Sequence, residues 1–334
     1  MAFLRLEDYI NKGYYAAGFI SYEAGFSFEE SLKDLRLDPD FPLLWFGIYK
    51  KPVVFTHKEK NDLPGYRSGP YSVKNLRPDI SKSKYFGDIK KVKDLIKRGE
   101  TYQVNYTFKY KFDFAGSLFG FYEALKARQS VSYAGLVKTP DHSILSMSPE
   151  LFFRKNGRCI EVKPMKGTID RGRSAGEDAV NMDRLKKSLK DRSENVMIVD
   201  LLRNDLGRIS EPGSVRTETL FETEKYETLI QMISVIKSRL RKNITFLELF
   251  KAIFPSGSVT GAPKINTMKI INALENEPRR VYTGSVGFFA PDGKAVFNVA
   301  IRTALIDNRT KKGEMGIGSG IVIDSGIGKE FKEC

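Results

Sequence analysis

The sequence predicts an α+β fold: antiparallel sheets made of strands adjacent in the chain, with helices inserted as blocks. Three observations lead there. Short aromatic and β-branched runs follow one another over 131–163 with only turns between them. The same pattern returns in the C-terminal third, where Pro291-Asp292-Gly293 separates two such runs. Between these regions lie long helical periodicities rather than the regular strand–helix alternation of a parallel sheet.

Residues 14–23 and 43–56, around Trp45 and Val53-Val54-Phe55, read as strands. From Lys58 to Asp79 the chain turns polar, with Pro64, Gly65, Gly69, Pro70 and Pro78, which predicts a long surface connection. A helix follows, capped by Ser81 or Ser83, striped by Phe86, Ile89, Val92, Leu95 and Ile96, and stopped by Gly99. Thr101–Phe114 alternates as a strand does, and 118–128 looks helical behind Ser117. Residues 131–137, 143–147, 150–154 and 158–163 are short strands, with Asn156-Gly157 a hairpin turn. One long amphipathic helix is expected from Asp183 to Leu202, and two more near 224–241 and 264–275. Strands at 281–290, 295–306 and 314–323 complete the chain.

The 334 residues are 41% hydrophobic, enough for a large core. No apolar run is long enough to span a bilayer and no charged-then-apolar leader opens the chain, so a cytoplasmic protein without membrane attachment is expected. Cys159 and Cys334 are the two cysteines, with no metal spacing, and the two histidines, His57 and His142, have no local partner. A disulfide framework, a zinc site and a histidine-based triad are thereby disfavoured. The net charge of +14 raises nucleic acid as a partner, but the lysines are scattered and no basic stripe carries interleaved aromatics. A solvated basic surface, with an anionic substrate or acidic partner, is the better reading.

Several stretches are poorly explained by packing. Lys166, in Lys163-Pro164-Met165-Lys166-Gly167-Thr168, stands between a strand-like run and a Gly-Thr turn. Asp191 and Glu194 lie three apart, as do Glu330 and Glu333. Each pair alone reads as a solvated helix face, whereas two pairs facing one another make an oxygen-rich Mg2+ site. Pro255 to Lys264 resembles a phosphate loop but fails the pattern, because Pro263 precedes Lys264 and no Ser or Thr follows it. The glycines of Gly316-Ile317-Gly318-Ser319-Gly320 let a strand backbone approach a ligand closely. Arg302, a cation in an apolar run, wants a carboxylate from protein or substrate.

In order along the chain, Ser148-Pro149-Glu150, Pro164-Met165-Lys166-Gly167-Thr168, Glu194 with Arg203-Asn204-Asp205, Gly257 to Lys264, Ile301-Arg302-Thr303, and Gly318 to Val322 with Asp324-Ser325 resemble the chorismate-utilising enzymes. The likeness runs from about residue 82 to the end. It implies two face-packed antiparallel sheets with helices on the outer faces. It also implies a shortened N-terminal lobe and linker over 1–80 and a chorismate-binding catalytic domain over 81–334, both within one compact unit. Gln103 stands where the water-using members of the family carry lysine, which places the chain in the ammonia-using branch. Lys166, where anthranilate-forming members carry alanine, points to 4-amino-4-deoxychorismate as product, on the route to 4-aminobenzoate and folate; anthranilate formation is the alternative, and a catalytically impaired chorismate-binding subunit a second one.

The resemblance further implies Lys166 as nucleophile and Glu150 as general acid. It gives Gly167, Thr168, Tyr282, Arg302, Gly318, Ser319, Gly320, Gln103 and Thr260 as substrate-binding residues. Mg2+ would be held by Glu194 and Glu333, with Asp191 and Glu330 near. Lys163 and the metal would help keep Lys166 neutral, since a free lysine has a pKa of about 10.4. Ammonia would come from a separate glutamine amidotransferase subunit. Three departures from the family stand out. The N-terminal region is short, so bound tryptophan is not expected. Ile230-Gln231 stands where relatives often have histidine, so no role for that histidine carries over. The sequence stops at Cys334, one residue past Glu333, so weaker metal and substrate binding is expected than in a relative with a further helix.

Overall fold

Phe3, Leu6 and Ile10 recur at helical spacing and form the buried face of α1 (Ala2–Asn11), an element absent from the sequence expectation. The structure, a computed structural model, describes residues 2–55, 68–129 and 131–334. After α1 come β1 (Tyr15–Ile20) and β2 (Leu44–Tyr49). The expected strand over 14–23 ends at Ile20, and Tyr22–Phe28 winds into a buried 3-10 turn instead. Of the expected polar connection, 58–67 with Pro64 and Gly65, like His57, lies outside the described residues. Its remainder contains a strand, β3 (Tyr71–Pro78). Among the described residues this strand pairs on one side only and is mostly exposed, which is why its composition reads as loop.

Next come α2 (Lys82–Lys97), whose cap Ser81 accepts a hydrogen bond from the Lys84 amide, β4 (Gln103–Gly116), and α3 (Leu118–Arg128), capped by Ser117. Five strands follow: β5 (Tyr133–Lys138), β6 (His142–Ser148), β7 (Leu151–Asn156), β8 (Cys159–Lys163) and β9 (Met165–Asp170). Asn156 pairs with Cys159 across the expected tight turn.

The single helix expected over 183–202 is two helices, α4 (Ala175–Lys187) and α5 (Leu189–Gly207). Ser188 breaks the run: its backbone is extended and its hydroxyl caps α5 by accepting from the Asp191 amide. The helix expected near 224–241 is a hairpin of β10 (Arg216–Lys225) and β11 (Leu229–Arg239). A bulge between Gln231 and Ile233 puts Met232, Ile233 and Ser234 all in buried positions. That interrupts the two-residue alternation and imitates helical spacing.

The chain ends with α6 (Phe246–Ile253), β12 (Gly261–Ala262), α7 (Lys264–Leu274), β13 (Ser285–Phe289), β14 (Ala295–Asn298), β15 (Thr303–Asp307), β16 (Lys312–Ile321) and α8 (Ile327–Glu333). The expected strand 295–306 is thus split. β14 belongs to one sheet and β15 to the other, and Val299–Arg302 crosses between them.

Among the described residues the strands form two antiparallel sheets. The first runs β10-β11-β8-β7-β14-β13-β1-β2, with β9 also on β11; the second runs β12-β4-β16-β15-β6-β5, with β3 on β4. Phe19 and Val286 of the first sheet meet Ile144 and Leu305 of the second in one buried cluster, so the sheets pack face to face. Outside the first sheet, α1, α5 and α6 bury Phe3, Ile198, Leu202 and Phe250. Outside the second, α2, α7 and α3 cover Val104, Tyr106, Phe112 and Phe114. This is the α+β architecture predicted. No helix among the described residues is long and apolar enough to cross a membrane.

Candidate active site

A cavity of about 920 Å3 opens where β9, β16, α5 and α8 converge. Thirteen of the residues singled out from the sequence line it: Glu150, Lys166, Gly167, Thr168, Asp191, Glu194, Tyr282, Arg302, Gly318, Ser319, Gly320, Glu330 and Glu333.

Lys166 is the second residue of β9, which hangs on β11 through Met165–Ile233 and Thr168–Gln231. Burial pushes its amine below the usual lysine range, while Glu150 and Glu194 pull it back up. Lys163 takes no part. It is ion-paired with Glu224, which corrects the expectation that it would help neutralise Lys166. Desolvation does that work.

Glu150 follows the β6 strand end and is only 3% exposed. Ser258, in the loop before β12, donates its hydroxyl hydrogen to Glu150 Oε1 at 2.6 Å. Burial lifts the carboxyl to about 7, against the lowering influence of Ser258 and Lys166. A carboxylic acid that keeps its proton near neutrality can deliver it to a leaving group.

Arg302 sits in the crossover between the sheets, not in a strand, with φ of +51°. It donates to Gln129 Oε1 at 3.3 Å and forms no ion pair among the described residues. Its charge is therefore available to an anion in the cavity. The ring of Tyr282 lies over Gly316, where an added Cβ would come within 2.1 Å of ring carbon. Gly320 plays a similar part: an added Cβ would lie 3.0 Å from Gln103 Nε2 and 3.3 Å from Lys166 Nζ. Glycine at this position leaves room for both the amide and the amine beside β16.

Two expected substrate contacts are placed elsewhere. Thr260 is fully buried and donates its hydroxyl to the carbonyls of Ser256 and Gly257, so it shapes the loop instead of the cavity wall. Gln103 lies behind the wall, fully buried, with no partner for either amide atom among the described residues.

The four acidic residues face the cavity from two helices, Asp191 and Glu194 on α5 and Glu330 and Glu333 on α8. Glu194 is pushed above the usual carboxylate range by burial, then by Asp191 and Glu330, with Lys166 and Lys190 opposing. Glu333 is raised by burial and by Glu330. Ser319 donates to Glu330 Oε2 at 2.6 Å. No three of these carboxylates converge on one point among the described residues. The donor set is nonetheless all hard oxygen and carries mutual repulsion that a divalent cation would relieve, so these residues fit Mg2+. Sequence reasoning missed Ser258, Asn105, Gln231 and Lys190 at this site. Ser258 left a signal as one of several hydroxyls in a glycine-rich loop, and Gln231 as the residue standing where relatives often have histidine.

A buried acid, a desolvated amine, an arginine with no ion pair among the described residues and a carboxylate cluster around one cavity have the make-up of an enzyme site for a small charged molecule. The sequence matches the family of chorismate binding enzymes over residues 2–334, and the chain belongs to that family. It is 31% identical to aminodeoxychorismate synthase component 1 of Bacillus subtilis (strain 168), over 95% of this chain and 74% of that one. It is 32% identical to anthranilate synthase component 1 of Methanothermobacter marburgensis, over 99% and 75%. The probable aminodeoxychorismate synthase of Oryza sativa subsp. japonica is 41% identical over 75% of this chain, which spans 28% of that longer protein. The crystal structure of anthranilate synthase component I from Streptococcus pneumoniae superposes with a TM-score of 0.83 at 29% identity, covering 95% of this chain and 78% of that one. Identities of this size assign the family and do not separate the two synthases.

Proposed function

We propose that this chain is component I of aminodeoxychorismate synthase, joining ammonia to chorismate to give 4-amino-4-deoxychorismate and water. One observation carries the choice: a lysine with a depressed pKa, Lys166, shares a buried cavity with the raised-pKa acid Glu150. In this reading the Lys166 amine attacks C2 of the ring, the ring double bond shifts, and the C4 hydroxyl leaves as water with the proton of Glu150. Ammonia then adds at C4, the double bond returns, the C2–nitrogen bond breaks and the lysine amine is freed. The surplus proton of the incoming nitrogen restores Glu150. Arg302 and Tyr282, with the backbone N–H groups around Gly318–Gly320, hold the substrate's carboxylates. Mg2+ on Glu194 and Glu333 would neutralise a substrate carboxylate when bound. Ammonia would be supplied by a glutamine amidotransferase partner, in keeping with the component 1 names of the relatives.

Anthranilate synthase component I is the second reading, favoured by the Methanothermobacter and Streptococcus likenesses. Incubation with chorismate, Mg2+ and ammonium separates the two. Anthranilate fluorescence supports the second reading; 4-aminobenzoate released after adding a lyase supports the first. Lys166→Ala should lower amination at least about a thousandfold, as loss of a nucleophile does. Undiminished product from that variant would remove the covalent role.

A further inference from the structure

Arg279 lies outside the cavity, 2% exposed, in the segment between α7 and β13. All five of its N–H donors are used. Nε and Nη2 bind the two oxygens of Glu275 at 2.9 and 2.6 Å. Nη2 also reaches the carbonyl of Asn105 at 2.5 Å, and Nη1 reaches the carbonyl of Val259 at 2.8 Å and Thr283 Oγ1 at 3.2 Å. Glu275 in turn accepts from the amide and hydroxyl of Thr107. Asn105 lines the cavity from β4, and Val259 follows Ser258, whose hydroxyl holds Glu150. Thr283 follows Tyr282 and donates to its carbonyl.

Packing alone does not call for this arrangement. A buried ion pair can be replaced by apolar residues of similar volume with little loss of stability. What apolar residues cannot supply is a planar fork of donors aimed at several chain segments at once. The loop at 256–260 has few other ties: Ser256 and Thr260 bond within it, and the Asn105 amide reaches the Thr260 carbonyl at 2.8 Å.

We propose that Arg279 is a positioning residue, which sets the Ser258–Glu150 hydrogen bond by clamping the Ser258 loop to β4 and to the Tyr282 turn. The inference rests on the reading of Glu150 as general acid. Arg279 touches no reacting atom; it acts through Ser258.

A double-mutant cycle tests this. Arg279→Lys keeps the charge and loses the fork. It should lower kcat about ten- to a hundredfold, the range for a hydrogen bond to an ionisable group, with KM changed less than about threefold. Ser258→Ala should do the same. The double variant should fall no more than about threefold below the weaker single one, because both act on one contact. Infrared titration of the Glu150 carboxyl, assigned by its loss in Glu150→Gln, needs no substrate and should shift in the same direction in both single variants. Where Arg279→Lys does not fold, Glu275→Gln takes its place in the cycle. Multiplying losses, a loss confined to KM, or a Glu150 titration unmoved by the Arg279 or Glu275 change would each overturn the proposal. Failure of the unaltered enzyme to aminate chorismate would overturn the functional reading instead, and the infrared titration would still decide the role of Arg279.

Discussion

Ser258 donates its hydroxyl hydrogen to Glu150 across 2.6 Å although the two residues are 108 positions apart in the chain. The contact joins the crossover between β6 and β7, which lie in different sheets, to the loop that leads into β12. It favours the ionised carboxylate, while burial favours the neutral acid, and burial has the larger effect.

Stability should therefore fall as pH rises toward neutrality. The folded pKa of Glu150 is about 7, as is that of buried Glu23, against about 4.3 for an unfolded glutamate. Between those values the folded chain binds more protons than the unfolded one, so this contribution is full below the unfolded pKa and is lost as pH passes 7. Glu150→Gln removes the Glu150 share. Its stability relative to the unaltered protein should rise by up to about 3 kcal/mol from pH 4 to pH 8. Parallel denaturation curves across that range would contradict the assignment.

Turnover should follow the protonated acid. The rate should decline above pH 7 as Glu150 ionises. In Ser258→Ala the hydroxyl that favours the anion is gone, so the declining limb should move to higher pH even as kcat drops. A pH–rate profile of both proteins reads this directly, and a limb that stays put or moves down counts against it.

Gly316 makes room for Tyr282. An added Cβ would sit 2.1 Å from the ring, so Gly316→Ala should destabilise the fold by about 1–3 kcal/mol, the usual cost of overpacking, and raise KM for chorismate. The same change in a Tyr282→Ala background should cost much less. Equal losses in the two backgrounds, measured by thermal unfolding, would show that the ring is not the obstacle.

The repulsion among Glu194, Asp191, Glu330 and Glu333 predicts a stabilising cation. A cation held by these carboxylates would bind the folded chain only, so saturating Mg2+ should raise the unfolding midpoint, by roughly 3 kcal/mol of added stability at a hundredfold excess over Kd. Chelation should reverse the gain, and Glu194→Gln or Glu333→Gln should abolish most of it. A midpoint shift that survives both substitutions would place the ion elsewhere.

The sequence by itself was enough for the α+β class, for helices that carry their own caps and stripes, such as α2 behind Ser81 and α3 behind Ser117, and for thirteen of the residues that meet in the cavity. Those features are local or lie in motifs whose residue types announce their chemistry. The tertiary structure decided the rest. β11 is a strand because β8, β9 and β10 pair with it, a long-range fact that its bulged hydrophobic pattern conceals. Arg302 lies at a crossover because β14 and β15 choose different sheets. Thr260 turns into its own loop, and Lys163 is taken by Glu224. Above all, Lys166 and Glu150 owe their shifted pKa values to desolvation by segments far away in the chain. Desolvation is a property of the assembled surroundings and has no expression in the order of neighbouring residues.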